Sequence, residues 1–149
     1  MWYRKIFTWR QLGGLKECPY FRRTILNFGF FTIRFHRWYG DDDNRALHCH
    51  PFSFVTFVIT GGYTDVNESA DDVVRAGSVR FRNAEYRHSV RDVLPNTRTI
   101  LITTKAFRRW GFYVDGKLIK RDKYFSEYGH HPCDVNDKAI RINPDGKRI

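Results

Sequence analysis

The feature that most constrains this chain is a two-residue alternation of apolar and polar side chains, repeatedly cut by glycine and by acidic or amide residues. From Gly29 to Trp38, Phe31, Ile33 and Phe35 alternate with Thr32, Arg34 and His36, the period of a strand with one face toward a core. Asp41, Asp42, Asp43 and Asn44 end that run. The segment from Leu47 to Thr60 is rich in Phe, Val, Ile and Thr on both faces and stops at Gly61-Gly62, which predicts a central strand and a turn. A polar stretch from Asp65 to Asp72 follows. Beyond it, Gly77 turns the chain into Ser78-Val79-Arg80-Phe81-Arg82, and Thr99 to Thr104 and Trp110 to Val114 supply further strands. Asp115-Gly116 lies between Val114 and Leu118 and reads as a hairpin turn that tolerates positive φ. Helical periodicity is weak, with room for one short amphipathic helix near Thr8 to Leu15 or Tyr20 to Asn27. Short strands at this spacing predict an all-β barrel or sandwich.

With 149 residues and 42% hydrophobic side chains, the chain can build one domain with a real core. Its 25 aromatic residues, 13 Phe, 8 Tyr and 4 Trp, argue against disorder. We expect an N-terminal arm over residues 1–28, a barrel over 29–133 and a polar, loosely held tail over 134–149. Cys18, Cys49 and Cys133 form no CxxC pair, so neither a disulfide framework nor a zinc ribbon is indicated, and a reducing cytoplasm fits best. No apolar run follows the basic N-terminus, which argues against a secretory signal. The uncharged stretch from Ala46 to Thr64 contains His48, His50, Pro51, Ser53 and two glycines, so it reads as a buried strand and turn rather than a membrane span.

The formal net charge is +10, and the first forty residues hold eight basic residues against Glu17 alone. Such an excess fits a nucleic-acid surface, an acidic small-molecule pocket or a basic exterior. No nucleic-acid motif accompanies it, so a nucleic-acid-associated role stands as an alternative.

Chemistry is more sharply indicated by histidines. His48 and His50 are two apart in a strand-like segment, so their side chains leave one face and can converge on one ion. Pro51 puts that end of the strand at a bend. His88, beyond the Gly77 turn, is the candidate third donor. Cys49, between the two histidines, points the other way and reads as a small core residue. Arg80 and Arg82 share one strand face, where they could clamp a carboxylate or phosphate if that face lines a pocket, or could simply meet water. His36 could face the interior or solvent. The cluster Arg108-Arg109-Trp110 with Lys105 could stack a base or end a strand, and Trp110 reads as a packing residue.

These residues resemble the cupin superfamily. His48-Cys49-His50 followed by Gly61-Gly62 is similar to the first cupin motif, and Gly77 with His88 eleven positions on is similar to the second. More narrowly, the segments from Leu47 to Phe52, Gly61 to Tyr63, Ala76 to Arg82, Arg109 to Phe112 and Gly129 to Asp134 resemble bacterial and phage cupin-like proteins. The resemblance covers roughly Pro19 to Asp134. It implies a small antiparallel β-barrel or jelly roll, with a short peripheral helix and an irregular C-terminal tail. It further implies a divalent metal held inside by His48, His50 and His88, with Fe(II) favoured over Ni, Zn or Mn, and often a homodimer formed by strand exchange. Phe54 and Val55 occupy the two positions where a cupin glutamate ligand would sit, so a three-histidine set is what remains. Cupins lacking that glutamate include oxygen-activating thiol dioxygenases. The expected function is a metal-dependent, oxygenase-like cupin acting on a small anionic molecule, with Arg80, Arg82 and Tyr63 as contacts and Tyr86 or Glu85 beside the histidines. A non-catalytic ligand-binding module is the alternative. His130-His131-Pro132-Cys133-Asp134 is a further donor cluster, read as structural or as placed at the barrel mouth.

Overall fold

The structure is a computed structural model that describes residues 7–14, 19–42 and 45–129. The His130 to Asp134 cluster and the expected polar tail lie outside the described residues. In chain order the strands are β1 (Phe7–Gly14), β2 (Pro19–Asn27), β3 (Phe31–Trp38), β4 (Phe54–Thr60), β5 (Gly62–Asn67) and β6 (Asp71–Arg75). They continue with β7 (Val79–Arg82), β8 (His88–Arg91), β9 (Arg98–Thr104), β10 (Gly111–Val114) and β11 (Lys117–Lys120), and a short helix α1 (Arg121–Tyr128) follows. All pairings are antiparallel.

Six strands form one sheet in the order β1-β2-β3-β9-β4-β7. Facing it are β6-β5-β8 and the β10-β11 hairpin. The link between these two pieces is the segment around His48, which bridges His88 of β8 on one side and Phe112 of β10 on the other. The chain is therefore all-β, two curved sheets closing over a common interior. The segments near Thr8 to Leu15 and Tyr20 to Asn27, where a helix was expected, are instead strands β1 and β2 of the large sheet. β2 pairs with β3 and β1 with β2, and that pairing decides the outcome. Among the described residues the helix is α1, and no helix there is long and apolar enough to cross a membrane.

Turn chemistry matches the sequence closely. Asp115 (φ 51°) and Gly116 (φ 73°) both take positive φ in the β10–β11 turn, as a tight hairpin of matching twist requires. At the β4–β5 corner Gly61 has φ 69°, and a Cβ there would run into the side chain of Thr97. Thr97 is fully buried, and its hydroxyl accepts from the Gly62 N–H at 3.0 Å. Helix α1 buries Tyr124 and Tyr128 on one face, four residues apart, and Tyr124 stacks on Phe112 at 3.9 Å between ring centroids. Arg45 closes the helix C-terminus by donating to the carbonyls of Tyr128 and Gly129, where a cation is favoured.

The alternation along β3 resolves in an unexpected sense. Hydrophobicity alone would turn Phe31, Ile33 and Phe35 inward, yet Thr32 and His36 are buried and Phe35 is 43% exposed. On β7, Val79 and Phe81 are exposed while Arg80 and Arg82 point to the interior. Cross-strand register places Phe35 opposite Ile100, Val55 opposite both Ile102 and Phe81, and Phe57 opposite both Ile100 and Val79. The large sheet thus carries an apolar outer strip, and on its inner face polar side chains such as Thr32, His36, Thr56 and Thr99 stand among Phe21, Phe54 and Leu101. The interior is a cavity lined by both polar and apolar side chains.

Candidate metal centre

The cavity between the sheets measures about 580 Å³, within the usual range for a small-molecule site. His48, His50 and His88 meet in its wall, their ligating nitrogens all within 4.8 Å of one another. Backbone pairing explains the convergence. The His48 N–H donates to the His88 carbonyl at 2.8 Å and the His88 N–H returns to the His48 carbonyl at 3.0 Å, so the two residues are directly opposed. His50, two residues on, leaves the same face, and its N–H donates to the Ala84 carbonyl at 3.0 Å. The regular strand begins only at Phe54, so the two histidines sit on an extended rim segment before the Pro51 bend rather than inside one continuous strand from Leu47. Arg108 fastens that rim by donating to the carbonyls of His50 and Ala84 at 3.2 and 2.9 Å. Cys49 is fully buried on the opposite side, its thiol 3.7 Å from the Gly111 carbonyl.

The donor set fits a divalent ion. The Nε2 atoms of His50 and His88 are 3.4 Å apart, the separation expected for two nitrogens each about 2.1 Å from one ion at a near-tetrahedral angle. Burial first, and then the neighbouring imidazoles, hold both His48 and His50 well below the ordinary histidine range, so both present neutral rings with a lone pair. The buried Nδ1 of His50 has no hydrogen-bond partner. His88 is oriented from behind: its Nδ1–H donates to Asp65 at 2.9 Å, which turns Nε2 toward the cluster. Asp42 lies 3.7 Å from His48 Nδ1 and takes the Val90 N–H at 3.0 Å.

Asp65 is the hub behind the cluster and is 1% exposed. Burial would raise its carboxyl, but the contacts with His88 and Arg82 outweigh that and hold it below the usual range. Arg82 donates to it at 3.1 Å and the Tyr86 hydroxyl at 3.3 Å. Arg80 pairs with Asp72 at 2.9 Å. Arg80 and Arg82 therefore do line the cavity, with their guanidiniums already engaged by carboxylates. Tyr63 is buried in the wall, and desolvation pushes its hydroxyl up, so it stays protonated. Tyr86 stands behind Asp65, under the Arg82 guanidinium at 4.4 Å, and Glu85 is exposed. Trp110 packs on Phe112 and faces His48 at 6.3 Å. Phe54, at a position where a cupin glutamate would stand, is in edge contact with the His50 ring at 4.7 Å.

Sequence reasoning missed Asp42, Asp65, Arg23 and Arg34, and left His36 open. Asp65 carried a usable signal, since it shares a strand face with Tyr63. Asp42 sat in an acidic turn with nothing to single it out.

Strand order and cluster together define the class: a cupin-type β-barrel, or double-stranded β-helix, with three histidines at the rim of its cavity that could hold a metal. Comparison with solved structures agrees on the fold. A double-stranded β-helix protein from Klebsiella pneumoniae superimposes with a TM-score of 0.50 at 14% identity, covering 60% of this chain and 81% of that one. The Fe(II) form of HppE gives 0.53 at 12% identity over 64% of this chain and 56% of that chain. AerE from Microcystis aeruginosa gives 0.50 at 15% identity, covering 67% and 47%. The chain thus spans about half the length of the latter two. No protein-family model and no curated protein matches the sequence.

Proposed function

We propose that this chain is a metal-dependent cupin, oxygenase-like, that holds one divalent ion, Fe(II) by preference, on His48, His50 and His88 and acts on a small anionic molecule. The observation that carries the reading is the convergence of three imidazoles, those of His48, His50 and His88, at the wall of one cavity. An ion bound by three imidazoles keeps positions open to water and substrate and supplies Lewis-acid or, as Fe(II), one-electron chemistry. The chain's own residues do the rest. Asp65 fixes the His88 tautomer, and Arg82 and Tyr86 fix Asp65. Phe52, Phe54 and Phe112 pack against the histidine rings and give the cluster an apolar flank. Tyr63, protonated, offers a hydroxyl to a ligand from the smaller sheet.

Metal analysis of protein purified without an affinity tag tests the site. We expect close to one ion per chain and its loss in the His48→Ala, His50→Ala double variant; a double variant with as much metal as the parent would refute the assignment. Oxygen uptake with thiols and diols under Fe(II) then separates turnover from ligand binding alone. The second reading, a non-catalytic binding module, is favoured by the apolar Phe54 and Val55 at the carboxylate ligand positions, and metal binding without any uptake would support it.

A further inference from the structure

Cross-strand register on the inner face of the large sheet sets Gln11 opposite Arg23, Arg23 opposite His36 and Ile25 opposite Arg34. Arg34 precedes His36 by two residues, so Arg23 and Arg34 are diagonal neighbours on one face, roughly 7–8 Å apart at the backbone. Both line the cavity that the histidine cluster borders, as does His36. Their partners are neutral. Arg23 Nε donates to Gln11 Oε1 at 2.8 Å and its guanidinium lies 4.8 Å from the Phe21 ring centroid. Arg34 Nε donates to Thr32 Oγ1 at 3.1 Å and its guanidinium lies 4.2 Å from that of Phe52.

The contrast with the other cavity arginines is instructive. Arg80, Arg82 and Arg121 each hold a carboxylate, on Asp72, Asp65 and Asp122. Among the described residues neither Arg23 nor Arg34 has one. Two half-buried guanidiniums that face one cavity without a carboxylate partner leave a site for an anion there. Burial lowers each to about 10, so both remain charged at neutral pH. His36 lies opposite Arg23 and two residues along β3 from Arg34, and it is 7% exposed with neither ring nitrogen hydrogen-bonded. It stacks on Phe21 at 5.4 Å and 15°, which fixes the ring plane and leaves one donor and one acceptor nitrogen unused.

We propose that Arg23, Arg34 and His36 form an oxyanion-binding subsite that takes the head group of the cavity's ligand, a compact group carrying close to two negative charges, such as a phosphate, phosphonate or dicarboxylate. Two planar forks suit two pairs of oxygens, and the imidazole adds a neutral hydrogen bond that a lysine could not. The subsite stands by its own geometry. That its ligand also reaches the histidine cluster rests on the metal-centre reading.

The test is calorimetric titration of the full chain with inorganic phosphate, malonate and acetate at constant ionic strength, on the parent and on four variants. Saturable binding of phosphate or malonate is expected, at least tenfold tighter than acetate, and the preferred dianion identifies a phosphoryl or a dicarboxylate head group. Arg23→Gln and Arg34→Gln should each weaken it at least tenfold while keeping the parent's metal content, and Arg34→Lys should weaken it less than Arg34→Gln. His48→Ala/His50→Ala should lose metal and keep phosphate or malonate binding. No saturable dianion binding by the parent, or binding that survives both glutamine variants, would overturn the subsite. Loss of anion binding in the double histidine variant would overturn it too, by moving the anion to the histidine cluster. Metal retention by that variant would instead overturn the metal centre alone. Should a glutamine variant fail to fold, the thermal shift of Arg34→Lys with phosphate decides: a shift equal to the parent's refutes the paired-guanidinium geometry.

Discussion

Replacing Asp65 with Asn is the perturbation that reports most on the architecture behind the candidate metal centre. The side chain is 1% exposed and accepts hydrogen bonds from His88 at 2.9 Å, Arg82 at 3.1 Å and Tyr86 at 3.3 Å. Asparagine keeps the shape, removes the charge and turns an NH2 group toward one of three donors. Breaking a buried ion pair costs about 3–5 kcal/mol, because one charge stays behind uncompensated. Here Arg82 retains Asp72 at 3.5 Å and is 16% exposed at its side chain, which favours the lower end, about 3 kcal/mol. For a chain of this size that corresponds to a fall in Tm of roughly 6–12 °C. The His88 ring also loses its orienting acceptor, so metal affinity should fall roughly 10–100-fold. Urea unfolding in the presence of a chelator measures the first effect, and competition for Zn(II) against a chelating dye measures the second. A variant within about 1 kcal/mol of the parent would refute the reading of Asp65 as the hub of a buried ion-pair network. Lost stability with unchanged metal affinity would refute Asp65 as the residue that orients His88.

Three further outcomes follow from particular contacts. Burial, then Arg23 and Arg34, hold His36 well below the ordinary histidine value of 6.5, so the unfolded chain takes up that proton first and metal-free stability falls as pH drops below it. His36→Phe should flatten this acid limb by up to about 1.4 kcal/mol per pH unit, and parallel urea-derived profiles for the two proteins would show that the ring is not buried neutral. Gly61→Ala forces a Cβ toward Thr97 at positive φ and should lower stability by about 1–3 kcal/mol, read by thermal unfolding; an unchanged melt would contradict the tightness of that corner. Phe81 is 65% exposed on the apolar outer strip with Val79 at 54%, so the parent should show concentration-dependent mass in sedimentation velocity and Phe81→Lys should abolish it; a parent that stays monomeric would refute self-association through this face.

Much of the fold was legible in the chain because it is written in local terms. The Asp115-Gly116 turn, the Gly61-Gly62 corner and the run from Phe54 to Thr60 all depend on residues within a few positions of one another. The helix was misplaced for the same reason: Tyr20 to Asn27 has no strong local preference, and pairing with Phe31 to Trp38 makes it a strand. The metal candidates were legible through spacing, since residues two apart share a face and a turn returns the chain to meet them. The carboxylates behind them were not, because Asp42 lies 48 residues from the Val90 N–H it accepts and Asp65 lies 23 residues from His88.

The basic excess in the first forty residues shows where each level of description ends. Composition counts Arg23 and Arg34 with Arg22 and Arg37 as one positive surface. Pairing separates them: Arg23 and Arg34 face the cavity, and Arg22 and Arg37 face out beside Tyr39. By itself the sequence determined that β3 has two faces, that His48 and His50 share a side and that Gly77 and Asp115-Gly116 turn the chain. Only the tertiary structure decided that the face bearing Thr32, Arg34 and His36 is the inner one. Alternation is symmetric with respect to inside and outside, and that symmetry is broken by register across six strands around a shared cavity.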